Sequence, residues 1–169
     1  MHAHGRIAVT VCTIAVSVCI AASARAASVR SVSASGLPSF IDGDLARIES
    51  GIDEAALRRA ARDVAPLFRI DGDTIELQRV KRDELGMTHA RFRQVAHGLE
   101  VVGGDFLVHV GRDGVVFAAN GSSRERELPD PTPRIDAEAA TRIAIERKAS
   151  AVEGQPRLAY VISSRDRSL

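Results

Sequence analysis

Residues 88–121 read THARFRQVAHGLEVVGGDFLVHVGRDGVVFAANG, and their spacing decides the fold. Thr88, Ala90, Phe92, Gln94 and Ala96 alternate with His89, Arg91, Arg93 and Val95. That is the period of a strand with one covered face. His97-Gly98 turns the chain. Glu100–Val102 and Phe106–Val110 flank the Gly103-Gly104 pair, which predicts a bulge or a tight bend. Arg112-Asp113-Gly114 carries the Asp-Gly hairpin signal, Val115–Ala119 returns, and Asn120-Gly121 closes the strand as a turn. Short strands joined by tight turns predict an antiparallel, meander-like sheet.

Upstream, Thr74–Val80 adds a strand, joined to Thr88 by a turn at Asp83-Glu84-Leu85-Gly86. Before it the period becomes helical. Leu57, Ala60, Ala61, Val64 and Phe68 fall on one helix face within Asp53–Phe68. Asp53 caps the start, and Pro66 predicts an end near Ala65. The expected fold class is α+β: an antiparallel β-meander sheet packed on an N-terminal helix. Ala27–Ser39 is rich in Ser and small residues, so residues 27–49 are expected to form a flexible lead.

Downstream, Leu128–Arg134 holds three prolines in seven residues and reads as a stiff linker between modules. Asp136 caps a second helix expected to run to about Val152, and Arg157–Ser163 starts a strand. One helix and one strand bury too little apolar surface to stand alone, so this second module reads as incomplete.

The N-terminus has the order of an export signal. His2, His4 and Arg6 form a basic end, Ile7–Ala22 is apolar, and Ala22-Ser23-Ala24 and Ala24-Arg25-Ala26 each fit an A-x-A cleavage frame. The apolar run is short for a bilayer span, which needs about 20 residues. A signal peptide over residues 1–26 is therefore expected, with a secreted or periplasmic product and no membrane attachment after cleavage. The cut falls after Ala24 or after Ala26. Both cysteines, Cys12 and Cys19, lie in this segment, so the remainder has no disulfide framework.

Composition removes several function classes. Lys+Arg is 23 against Asp+Glu 22, aromatics are 4 % and Trp is absent. A nucleic-acid partner is therefore not expected. His89, His97 and His109 stand in no H-E-x-x-H pattern, and no dedicated metal site is legible. His89 and His109 sit mid-strand on strands that could be neighbours, which leaves open a hydrogen-bonded structural pair or a two-His metal pair. Arg91 and Arg93 share a face with His89, as a solvated sheet face or a partner-binding stripe. Asp71/Asp73 and Asp83/Glu84 read as turn formers. Asn120-Gly121-Ser122 is an N-x-S sequon. No catalytic residue and no cofactor site is assigned.

Residues 78–121 resemble the fungalysin/thermolysin propeptide domain, found in pro-regions of secreted thermolysin-like zinc metalloproteases. The resemblance rests on the acidic-Leu-Gly turn ending at Gly86, then Thr88, His89, Arg91, Phe92 and Gln94. Gly98, Val101, Gly103 and Gly104 follow, then Val108-His109-Val110, Asp113-Gly114 and Asn120-Gly121. Arg93 stands where Gln is common and Glu100 where Pro is common. Residues 50–127 are thus taken as the propeptide-like domain, 128–134 as linker, and 135–169 as a partial PepSY-like module. The last rests on P-x-I-x-A-E-x-A from Pro133 and on Arg157-Leu158-Ala159-Tyr160.

The resemblance implies an intramolecular chaperone and inhibitor of a thermolysin-like catalytic domain, acting in cis. A stand-alone secreted inhibitor or binding module acting in trans is the alternative. This chain is then not itself an enzyme. The full precursor would be a zinc metalloendopeptidase, with zinc and calcium belonging to its catalytic domain. The motif residues are assigned structural roles only.

Overall fold

Asp53 starts the first helix as expected, its Oδ1 accepting from Ala56 N–H at 2.7 Å. Helix α1 spans Glu54–Val64 and buries Ala56, Leu57, Ala60, Ala61 and Val64. Pro66 then converts the chain to a 3-10 turn over Ala65–Phe68, closed by Arg69 in the left-handed region at φ 55°. This turn delivers Phe68 to the core. The computed structural model describes residues 25–34, 36–122, 128–147 and 154–161. The signal peptide expected over residues 1–26 lies outside them, apart from Arg25 and Ala26.

The strands are β1 (Ser28–Val32), β2 (Pro38–Arg47), β3 (Ile75–Arg82), β4 (Thr88–Ala96), β5 (Leu99–Val110), β6 (Val115–Gly121) and β7 (Tyr160–Val161). They form one sheet in the order β1-β2-β6-β5-β4-β3, every neighbouring pair antiparallel. Helix α1 covers one face. Phe92, Phe106 and Val108 from the meander meet Leu57, Val64 and Phe68 from the helical side in one buried cluster. The Phe68 and Phe106 rings meet edge to face at 5.5 Å. The even positions of β4 from Thr88 to Gln94 are buried, which is the face the alternation picked out.

Four expectations change. Residues 28–47 are not a flexible lead, because β1 and β2 extend the sheet beyond β6. Ile41, 3 % exposed, faces Ala119 and joins the core. The Ser-rich composition belongs to an edge hairpin whose outer strand stays exposed, so the segment carries little apolar signal. Asn120-Gly121 is not a turn. Asn120 pairs with Leu107 and Gly121 with Phe106 inside the sheet. A Cβ on Gly121 would stand 2.8 Å from Phe68 Cδ1, so this glycine makes room for aromatic rings.

The third change is at helix α2, which spans Ala137–Glu146 with Asp136 as cap and Arg147 closing it. It ends short of Val152; residues 148–153 lie outside the described ones. The last change is in the final strand. It begins at Tyr160 rather than at Arg157, since residues 157–159 are described and form no strand, and it does not wait for a missing module: β7 pairs parallel with Val101 and Val102 of β5. Residues beyond Val161, including the rest of the expected strand to Ser163, lie outside the described ones.

That pairing is available because of the bulge. Arg93 faces Asp105, yet the next residue, Gln94, faces Val101, so Val102–Gly104 have no partner on β4. Strand β6 stops opposite Phe106, and β7 takes up the free side of β5 beyond that point. Tyr160, 8 % exposed, secures it. Its hydroxyl donates to Pro129 O at 2.8 Å and lies 3.0 Å from His97 Nδ1. Arg157 adds an ion pair to Glu100 at 2.6 Å. Helix α2 contributes no buried residue.

Candidate functional site

The sheet face opposite α1 gathers the polar residues of the motif. His89 of β4 stands directly across from His109 of β5. Their Nδ1 atoms are 2.7 Å apart, a hydrogen bond between the two rings. His89 Nε2 lies 2.9 Å from Asp83 Oδ2, and His109 Nε2 lies 2.8 Å from Asn120 Oδ1. One chain of bonds, Asp83–His89–His109–Asn120, therefore crosses the β3–β4 turn and three strands. Asp83 serves twice, since its Oδ1 also accepts from Met87 N–H at 2.9 Å and holds the turn.

Proton accounting sets the state of this chain. Asn120 presents its oxygen, so His109 Nε2 carries a proton. Burial holds His109 below the ordinary imidazole value of 6.5, the positive charge on His89 adding to the effect and the Asn120 bond opposing it. His109 is then neutral and its Nδ1 accepts. The bond to His89 holds the Asp83 carboxyl below its ordinary range. A proton added at His109 Nδ1 would remove the acceptor that this ring offers across the 2.7 Å contact.

The acid limb of stability follows. An unfolded imidazole takes up its proton near 6.5, while folded His109 resists. The contribution is whole above that pH and is lost as the pH falls through it toward the folded value. Urea midpoints measured between about pH 8 and pH 5 should drop toward acid, and His109→Gln should flatten the drop. An unchanged slope in that variant would show that the acid limb arises elsewhere.

The two-His metal reading is replaced by this direct bond, since rings in contact at 2.7 Å leave no space for an ion between them. Among the described residues no group of three His, Cys, Asp or Glu is placed to hold a metal ion. The arginine stripe is tied up within the chain. Arg91 forks onto Asp105 at 3.1 and 2.7 Å, and Arg93 reaches Glu76 at 3.0 and 2.7 Å. The sequon asparagine is engaged with His109 in a paired strand rather than displayed on a turn.

The remaining motif residues shape the scaffold. Thr88, Phe92 and Gln94 are buried beneath the sheet. Gln94 Nε2 donates to Ser122 O at 2.7 Å, tying β4 to the end of β6. Gly104 lets the bulge lie against Gln94 and Val101. Gly86, Gly98, Gly103 and Gly114 sit at positive φ in the turns and the bulge. Asp113 Oδ1 accepts from Val115 N–H to set the last hairpin. Sequence reading placed the two histidines mid-strand, on strands that could be neighbours. It missed Asp83 and Asn120 as their partners, because each already had a sufficient local role in a turn.

Residues 73–123 match the family model described as Fungalysin/Thermolysin Propeptide Motif. Fifty residues are 42 % identical to Extracellular metalloproteinase 4 of Arthroderma gypseum and to that of Trichophyton rubrum, covering 30 % of this chain and 8 % of those proteins. Forty-eight residues are 44 % identical to Extracellular metalloproteinase 2 of Trichophyton tonsurans, covering 28 % of this chain and 8 % of that protein. The chain thus spans only 8 % of the length of the curated relatives it matches. No solved structure matches. Among the described residues no helix is long and apolar enough to cross a membrane.

Proposed function

We propose that this chain is the leading part of a pro-region of an exported thermolysin-like metalloprotease, acting on its catalytic domain in cis. It helps that domain fold and holds it inactive until it is removed. The observation that carries this reading is the match over residues 73–123, which coincides with β3 through β6 and includes the bonded histidine pair. A surface that binds the native or near-native catalytic domain better than the unfolded one shifts folding toward the product by mass action. The segment from Pro133 then begins a PepSY-like module. Zinc and calcium would be ligands of the catalytic domain, and no described residue of this chain is assigned to them.

The test is a refolding assay. The unfolded catalytic domain of a fungal extracellular metalloproteinase of the matched kind is diluted into buffer with and without this chain. Recovered peptidase activity after removal of the chain is expected to be higher in its presence. A yield equal to that in buffer, with no binding to the folded enzyme, would overturn the reading.

A further inference from the structure

We infer that the free edge of β3 takes an added strand from a partner that presents an extended segment of alternating acidic and β-branched residues. The inference goes beyond the pro-region reading and does not depend on it.

Among the described residues the main sheet ends at β1 on one side and at β3 on the other. An edge strand turns a row of backbone N–H and C=O groups outward, and proteins guard such edges by keeping them short or breaking them with bulges. Strand β1 is guarded in both ways. It has 5 residues, and its register against β2 shifts on either side of Ser31. Strand β3 has 8 residues. Past one shift after Leu77 it runs regularly, with Arg79, Val80, Lys81 and Arg82 facing Arg91, Ala90, His89 and Thr88 in turn. All four of these β3 residues are exposed.

The charge on this stretch selects the partner. Arg79 faces Arg91 and Lys81 faces His89, which places both on the sheet face opposite α1. The nearby carboxylates are taken, Glu76 by Arg93, Asp105 by Arg91 and Asp83 by His89. Among the described residues Arg79 and Lys81 have no acidic partner. Like charges directly across a ladder are unfavourable, so Arg79 opposite Arg91 leaves a repulsion that an incoming carboxylate relieves. The same charges bar a second copy, because pairing β3 with β3 would bring Arg79, Lys81 and Arg82 of two chains together.

Val80 sets the other half of the pattern. Like Leu77 it faces a buried residue of β4, so both lie on the helix side. Leu77 packs against the core cluster, whereas Val80 is 40 % exposed. A strand added here lays carboxylates beside Arg79 and Lys81 on one face and a β-branched side chain beside Val80 on the other. That is the alternation an extended segment has, with main-chain hydrogen bonds supplying the rest of the affinity.

The probe is a dye-labelled peptide alternating Glu and Val, of the length of β3, titrated into the full chain. Saturable binding that weakens with salt is expected, together with slower hydrogen exchange in β3. The R79E/K81E variant should bind this peptide at least about tenfold more weakly and should bind the Lys-Val counterpart instead. Absence of binding to the parent chain would overturn the inference. Equal binding of the same peptide with Pro at its centre would also overturn it, since charge alone would then suffice without strand addition. Binding that leaves exchange in β3 unchanged, or a variant that keeps the parent's affinity, would do the same. The readouts on the parent chain decide the matter even where the variant fails to fold.

Discussion

Phe106→Ala should lower the stability of the domain by about 3–5 kcal/mol, a large part of the roughly 5–15 kcal/mol that a domain has. Phe106 is fully buried at the centre of the sheet. Its ring meets Phe68 edge to face at 5.5 Å and lies 6.3 Å from Phe92. On the neighbouring strand it faces Gly121, which has no side chain to move into a vacated space. Truncation therefore loses the transfer energy of the ring and leaves a cavity that the rigid sheet fills poorly. Phe68 comes from the turn after α1 and Phe92 from β4, so one deletion loosens helix and sheet together. The urea midpoint should fall with the slope unchanged. A loss under about 1 kcal/mol would mean that the three rings are not the centre of the core.

The second large effect separates two glycines that look alike in the sequence. Gly98 and Gly114 both follow a turn residue, and both take positive φ, +76° and +79°. Around Gly98 a Cβ would meet nothing within 4 Å, so Gly98→Ala carries only left-handed strain of about 1–2 kcal/mol. At Gly114 a Cβ would overlap Ile48 O, and Ile48 N–H donates back to Gly114 O at 2.9 Å. The obstacle is backbone held by its own hydrogen bond and cannot swing aside. Gly114→Ala should therefore cost the strain plus an overpacking penalty, together about 2–5 kcal/mol. Equal losses in the two variants would show that the β2 connection near Ile48 yields freely.

These two predictions mark where local reading stops. The left-handed turns were legible from His-Gly and Asp-Gly, because a tight hairpin needs such residues whatever surrounds it. Ile48 lies 66 positions before Gly114, and no local pattern announces their contact. The histidine pair follows the same division. Alternation placed His89 and His109 away from the buried face of their strands. That they stand opposite each other depends on register, which a three-residue bulge at Val102–Gly104 resets. Their terminal partners depended on tertiary contact as well. Asp83 is a competent turn former and Asn120 a competent turn residue in isolation, so local chemistry already accounted for both.

The sequence by itself determined the elements whose signals are local. These are the capped, striped helix that stops before Pro66, the faces of β4, the irregularity at Gly103-Gly104 and the hairpin at Asp113-Gly114. Each rests on periodicity or on a conformation that few residues allow. Only the tertiary structure decided what lacked an apolar or conformational signal of its own. Strands β1 and β2 are polar enough to read as a lead, and they are strands because β6 offers an unpaired edge and Ile41 a place in the core. Strand β7 exists because β6 ends opposite Phe106 and leaves the far end of β5 open. Edge pairing is driven by backbone groups that every residue carries, so residue types reveal it weakly and the neighbouring strand decides it.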